Sequence, residues 1–198
     1  ALACGANCWG GLGLIGQIEK LQMGSAASSM VHEKLIPLVS AVQAMKVDVI
    51  QVQQYLQDIS ATRGKPGFDT GFDEAAKSAD SFKEDSARAR ALAVDLGLTE
   101  VQGAIDDMTT VFPSYYEGGR AMADAYVGYG PDIGNQRMAK FDGLASEMGD
   151  STEKLIALIN ERSTSVLSQL EESSGALAQA NTGLVVTMAG LALACLVL

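Results

Sequence analysis

Apolar residues recur at three- and four-residue steps through Leu35, Leu38, Val42, Met45, Val49, Val52, Leu56 and Ile59. That spacing keeps one seam of a helix buried along its whole length. A second seam in the same register runs through Val101, Ile105, Met108, Phe112, Tyr115, Gly119, Met122, Tyr126 and Tyr129. Between them lies a seam of mostly small residues, Phe72, Ala75, Ala79, Phe82, Ala89, Ala93 and Leu96, and after them a fourth at Met138, Phe141, Ala145, Met148, Leu155, Ile159 and Val166. Small positions facing large ones are what interdigitating helices require. Breakers separate the seams: RGKPG at 63–67, the Gly97 region before Thr99, and GYGPDIG at 128–134. The pattern predicts four helices of roughly 27 to 31 residues, each about 40 to 45 Å long. Near-equal helices joined by short turns specify an all-α fold, an antiparallel up-down-up-down four-helix bundle over 35–163.

Local signals refine this. Thr99 with Gln102 has the form of a capping box for the third helix, and Asp69, Asp73 and Glu74 suit the positive end of the second. Pro113 lies inside the third helix and predicts a kink or an opened turn, and Pro37 predicts a reset of the first helix near the start of the bundle.

Both chain ends are apolar. The run TGLVVTMAGLALACLVL at 182–198 carries no charge, and from Ala1 to Ile18 only Asn7 and Gln17 are strongly polar. Each reads as a membrane helix cut short, since about 20 apolar residues are needed to cross; the glycines of 1–18 are tolerable where small residues allow close contact. A signal-peptide remnant is the competing reading of the N-terminus, though a basic n-region is missing. The expected organisation is a transmembrane segment at 1–18, a stalk at 19–34, the bundle at 35–163, a second stalk at 164–180 and a transmembrane segment at 181–198. Helices one and four extend through the stalks into the two membrane segments. The stalks are rich in small polar residues, GSAASS at 24–29 and SSGA at 173–176. Such a helix pair buries too little to stand alone, which predicts packing against a second copy of the chain. Basic flanks that would set the membrane orientation are absent.

Composition excludes several functions. The formal net charge is -10, with 14 Lys and Arg against 24 Asp and Glu, so the clustered cations that nucleic acid or anionic headgroups require are lacking. All three cysteines, Cys4, Cys8 and Cys195, lie in the apolar ends, leaving no disulfide framework and no thiol in the polar body. The single histidine, His32, has no Glu three residues before it, which excludes the Glu-x-x-His pairs of di-iron bundles. No metal or cofactor is expected, and the methionines of the seams read as core. Without a nucleophile elbow, a phosphate loop or an acid–base set, the chain reads as a non-enzyme.

Two stretches, EKLIPLVSAVQAMKVDVIQVQQYLQDISATRG at 33–64 and YYEGGRAMADAYVGYGPDIGNQRMAKFD at 115–142, resemble the periplasmic four-helix-bundle sensory module of bacterial methyl-accepting chemotaxis proteins. The resemblance covers nearly the whole chain and rests on helical texture together with QVQQYLQDISATRG. It implies a homodimer in the bacterial inner membrane with the bundle on the periplasmic side, a small-molecule ligand sensed there, and a signal sent through the second span. The HAMP linker and methylated signalling coiled coil of a whole receptor do not lie within these residues.

Candidate ligand contacts follow from matching levels across the expected turns. Counting from the turns places Arg120 at the level of Gln54 and Tyr55, with Gln51 and Asp58 continuing a polar stripe beside the seam; the alternative is a solvated or dimer-packing face. Arg63, Lys65 and Arg137 are expected near the distal tip with Asn135, where guanidinium forks suit a small anion such as an amino acid, organic acid or nitrate. Helix C-capping is the other account of Arg63. The expected function is therefore ligand sensing and transmembrane signalling as a module of a chemotaxis receptor. The rival is a structural or accessory membrane-anchored subunit, without ligand, that docks onto other subunits of a membrane complex.

Overall fold

The computed structural model describes residues 28–197. The expected membrane segment at 1–18, with Cys4 and Cys8, and positions 19–27 of the first stalk lie outside the described residues. Helix is the dominant conformation, and no strand occurs among the described residues. A π-helical turn, Val31–Leu35, leads directly into α1 (Ile36–Thr62), followed by α2 (Gly71–Asp95), α3 (Thr99–Tyr129) and α4 (Pro131–Val197). Two compact units are distinguished, Lys34–Glu161 and a second that takes in the chain from Arg162 onward.

Within Lys34–Glu161 the seams build one core. All eight seam residues of α1 and its preceding turn, from Leu35 to Ile59, are buried, as are Val101, Ile105, Met108, Phe112, Tyr115, Met122 and Tyr126 of α3. From α2 come Ala75, Ala79, Phe82, Ala89 and Ala93, and from α4 Phe141, Met148, Leu155 and Ile159. Phe82 stacks on Phe112 at 3.8 Å between centroids, and Tyr115 tilts against Phe141 at 5.4 Å. The alanines of α2 leave room for these rings, and removing a fully buried side chain such as Leu56 would cost about 2 to 5 kcal/mol. Tyr129 departs from the expected seam and is 78% exposed. The helix ends there, and Gly130, with φ of 80°, turns the chain before the seam can continue.

The turns work as the breakers imply, with one correction. At the end of α2, Leu98 N–H donates to the Ala93 carbonyl and Gly97 N–H to that of Val94, the paired bonds of a Schellman motif with glycine in the left-handed conformation. That motif sets the start of α3. Thr99 is already helical, the N-cap is Leu98, and no side-chain cap bond forms, so the expected capping box at Thr99 and Gln102 is not used. Pro113 is accommodated within an unbroken α3. Pro37 sits in the first turn of α1 immediately after the π-helical turn, where its missing N–H is least costly.

The stretch Ser28–Thr62 is, by length and composition, apolar enough to cross a membrane. Its seam fills the core of Lys34–Glu161, which already accounts for its apolar content.

Candidate functional site

Among the described residues, Lys34–Glu161 carries three concavities of a size to hold a small ligand. The first lies where the end of α1 meets the turn into α2. It encloses about 400 Å³ and is lined by Tyr55, Asp58, Ile59, Thr62, Phe68 and Thr70, among others. The start of α2 presses on α1 at this point: a Cβ on Gly71 would lie 2.8 Å from the Tyr55 carbonyl and collide with Ile59. Thr62 Oγ1 donates to the Asp58 carbonyl at 2.8 Å and reaches the Phe68 carbonyl at 3.4 Å, while Phe68 N–H donates to the Lys65 carbonyl at 2.8 Å. Lys65 N–H donates to the Thr62 carbonyl at 3.4 Å, which joins this turn to the last turn of α1.

The second concavity, about 380 Å³, lies between α3 and α4, with Ser114, Glu117, Arg137 and Lys140 around an apolar floor of Ala121 and Leu144. The third, about 460 Å³, runs between α1 and α4. Val49, Ile50 and Ile156 line it, with Lys46, Gln53 and Glu153 along its edges.

The residues expected to form one site are distributed among different surroundings. Tyr55 and Asp58 line the first cavity, and Arg137 lines the second. Gln54 is exposed and lines none of the three. The level of Arg120 agrees with the count, since its neighbour Gly119 packs toward Leu56 and Phe141. The guanidinium of Arg120 instead lies 5.9 Å from the Tyr116 ring centroid, and no hydrogen bond or ion pair joins it to Gln54 or Tyr55. Arg63 takes the C-cap position of α1 with φ of 55°, and its guanidinium lies beside Gly130. Asn135 accepts a hydrogen bond from the Tyr126 hydroxyl at 2.6 Å and so ties the start of α4 to α3. None of the three cavities is lined by two of the expected arginines.

The ion pairs belong to the surface. Arg88 pairs with Asp85 at 2.8 Å, Arg90 with Asp106 at 2.7 Å and Lys154 with Asp107 at 2.9 Å. The exposed pairs of Arg90 and Lys154 each contribute little to stability. Gln51 of the polar stripe accepts a hydrogen bond from Ser78 of α2 at 3.3 Å. Among the described residues no group of three His, Cys, Asp or Glu is arranged to hold a metal ion.

One residue with unusual chemistry was not among those read from the sequence. Asp48 lies in α1 with only 7% of its surface exposed, and its Oδ2 has no hydrogen-bond partner. Burial lifts its carboxyl from the ordinary 3.8 to about 6, and the Asp85 carboxylate pushes in the same direction. The signal was present: Asp48 stands three residues after Met45 and four before Val52, on the buried side of the helix. Near it in the core, Tyr115 Oη donates to the Val49 carbonyl at 2.8 Å, and burial holds that phenol well above its usual range.

Comparisons with protein-family models, with curated proteins and with solved structures found no match to this chain.

Proposed function

We propose that this chain is the ligand-sensing and transmembrane-signalling module of a chemotaxis receptor. In this reading it is an antiparallel up-down-up-down four-helix bundle, carried through two stalks on two membrane segments and facing the periplasm. It works without catalysis or cofactor. The observation that carries the reading is α4: one helix, Pro131–Val197, contains the core residues Phe141, Met148, Leu155 and Ile159 and also the uncharged run from Thr182. In the proposed mechanism, a ligand in the core shifts the packing of this helix by a small sliding or rotation, which is the signal. Such a shift requires only that the ligand prefer one of two packings. The resemblance of 33–64 and 115–142 to the sensory modules of chemoreceptors supports the same conclusion.

The module acts as a homodimer. Ile50 of α1 is about half exposed, and α4 presents Ala145, Gly149 and Ala157 along the groove that Ile50 lines. Small residues opposite an exposed aliphatic one leave room for a helix of a second copy.

The test joins this chain to the linker and signalling half of a chemoreceptor, in cells that have no receptors of their own. Swimming behaviour is then scored against amino acids, dicarboxylates, nitrate and organic cations. A response to at least one solute is expected. An expressed, membrane-inserted and folded chimera that responds to none returns the structural-subunit reading.

A further inference from the structure

We propose that the cavity between the last turn of α1 and the turn into α2 binds an alkylated ammonium cation. The proposal rests on the sensory reading for its biological meaning and names the ligand class of that site. Among the described residues that line this cavity, Asp58 is the one charged side chain, and Tyr55 and Phe68 are the aromatic ones. An anion placed there meets a carboxylate and the negative faces of rings, whereas an organic cation meets complementary groups on each. Of the cations nearest in sequence, Lys65 is not among the residues lining the cavity. Arg63 lies beside Gly130, and Lys77 is paired with Glu74 at 2.6 Å. The arginine expected to complete an anion site at this level, Arg120, rests on Tyr116.

Phe68 strengthens the inference. It is 65% exposed on a short turn, where it adds little to the core. The turn beneath it is nevertheless closed by backbone bonds, from Phe68 N–H to the Lys65 carbonyl and from Lys65 N–H to the Thr62 carbonyl. A volume of about 400 Å³ is within the range of small-ligand pockets, roughly 300 to 1,000 Å³. Thr62 and Thr70 add hydroxyls to the lining for a polar tail on the ligand.

The experiment is titration calorimetry of the full chain in nanodiscs with two probes of the same shape: choline, and 3,3-dimethylbutan-1-ol, its uncharged carbon analogue. Choline is expected to bind at least about tenfold more tightly than the alcohol, because only choline carries the charge that rings and carboxylate attract. Asp58→Asn and Phe68→Leu should each weaken choline about tenfold. Asp58→Asn should leave the alcohol unchanged. Both positions are exposed, and circular dichroism checks that the variants keep their helices. Equal binding of the two probes, no binding of choline, or choline binding that survives both substitutions would each overturn the proposal. The chimera separates the two readings: a response to another solute with no choline binding removes this site and keeps the sensor. Choline binding at this site without any response keeps the site and removes the sensor.

Discussion

Replacing Asp48 by asparagine should stabilise the protein at neutral pH and do almost nothing in acid. The carboxyl is held at about 6 in the folded chain against 3.8 as the ordinary value. Below about 3.8 the group is protonated both folded and unfolded and costs nothing. Between 3.8 and about 6 the folded state binds the proton and the unfolded state does not, so stability falls as pH rises through that window. Above it the folded protein carries a charge that burial and Asp85 disfavour, at a ceiling of about 3 kcal/mol from the gap between the two values. Rearrangement of the side chain toward water reduces this, so about 2 kcal/mol is the expected gain for Asp48→Asn at pH 8. The asparagine keeps the shape and removes the charge. Urea unfolding from pH 4 to 8, followed by the near-ultraviolet signal of the buried tyrosines, gives the difference between wild type and variant. That difference should open between pH 4 and pH 6 and then stay level. A constant difference across the whole range, or a variant less stable than wild type at pH 8, would refute the account of Asp48 as an uncompensated buried acid.

Other outcomes follow from close approaches and from the proposed dimer. A Cβ at Gly134 would collide with the stiff ring of Tyr126, so Gly134→Ala should cost about 1 to 3 kcal/mol in urea unfolding. Gly103 in α3 has open space where a Cβ would go, and Gly103→Ala should instead stabilise by about 0.5 to 1 kcal/mol; equal effects of the two would contradict the packing described. A cysteine at Ser28 should form a disulfide between copies under mild oxidation in membranes, and chains that stay monomeric at every concentration would count against the dimer.

The core was legible because helical periodicity determines which residues of a helix lie together, and each of the eight seam positions from Leu35 to Ile59 is buried. Glycine and proline likewise marked the connections. The start of α3 was less clear, since the same residues can form a capping box or follow a Schellman turn, and the bonds of Gly97 and Leu98 to the end of α2 decide between them. The candidate site was legible in level but not in direction. Counting along helices places Arg120 at the level of Gln54 and Tyr55, and Gly119 beside it packs toward Leu56, but adjacent residues point about 100° apart around the axis. Whether Arg120 turns toward Tyr55 or toward Tyr116 therefore depends on packing that counting does not contain. The side of the helix on which Asp48 lies follows from its spacing to Met45 and Val52, but how completely it is covered depends on the packing of the neighbouring helix.

The connections at 63–70 and 96–98 and at the single residue Gly130 bear on how quickly this chain assembles. Helices linked so briefly meet partners that are near in sequence, and such low contact order belongs to bundles that fold in microseconds to milliseconds. The approach of α4 to α1 brings together residues far apart in the chain, as in the groove shared by Ile50 and Ile156. It carries the largest loop-closure entropy of the assembly. If that pairing forms after the rate-limiting barrier, substitutions along it should hasten unfolding more than they slow folding. A nascent chain could then dock its first three helices while the fourth is still being made.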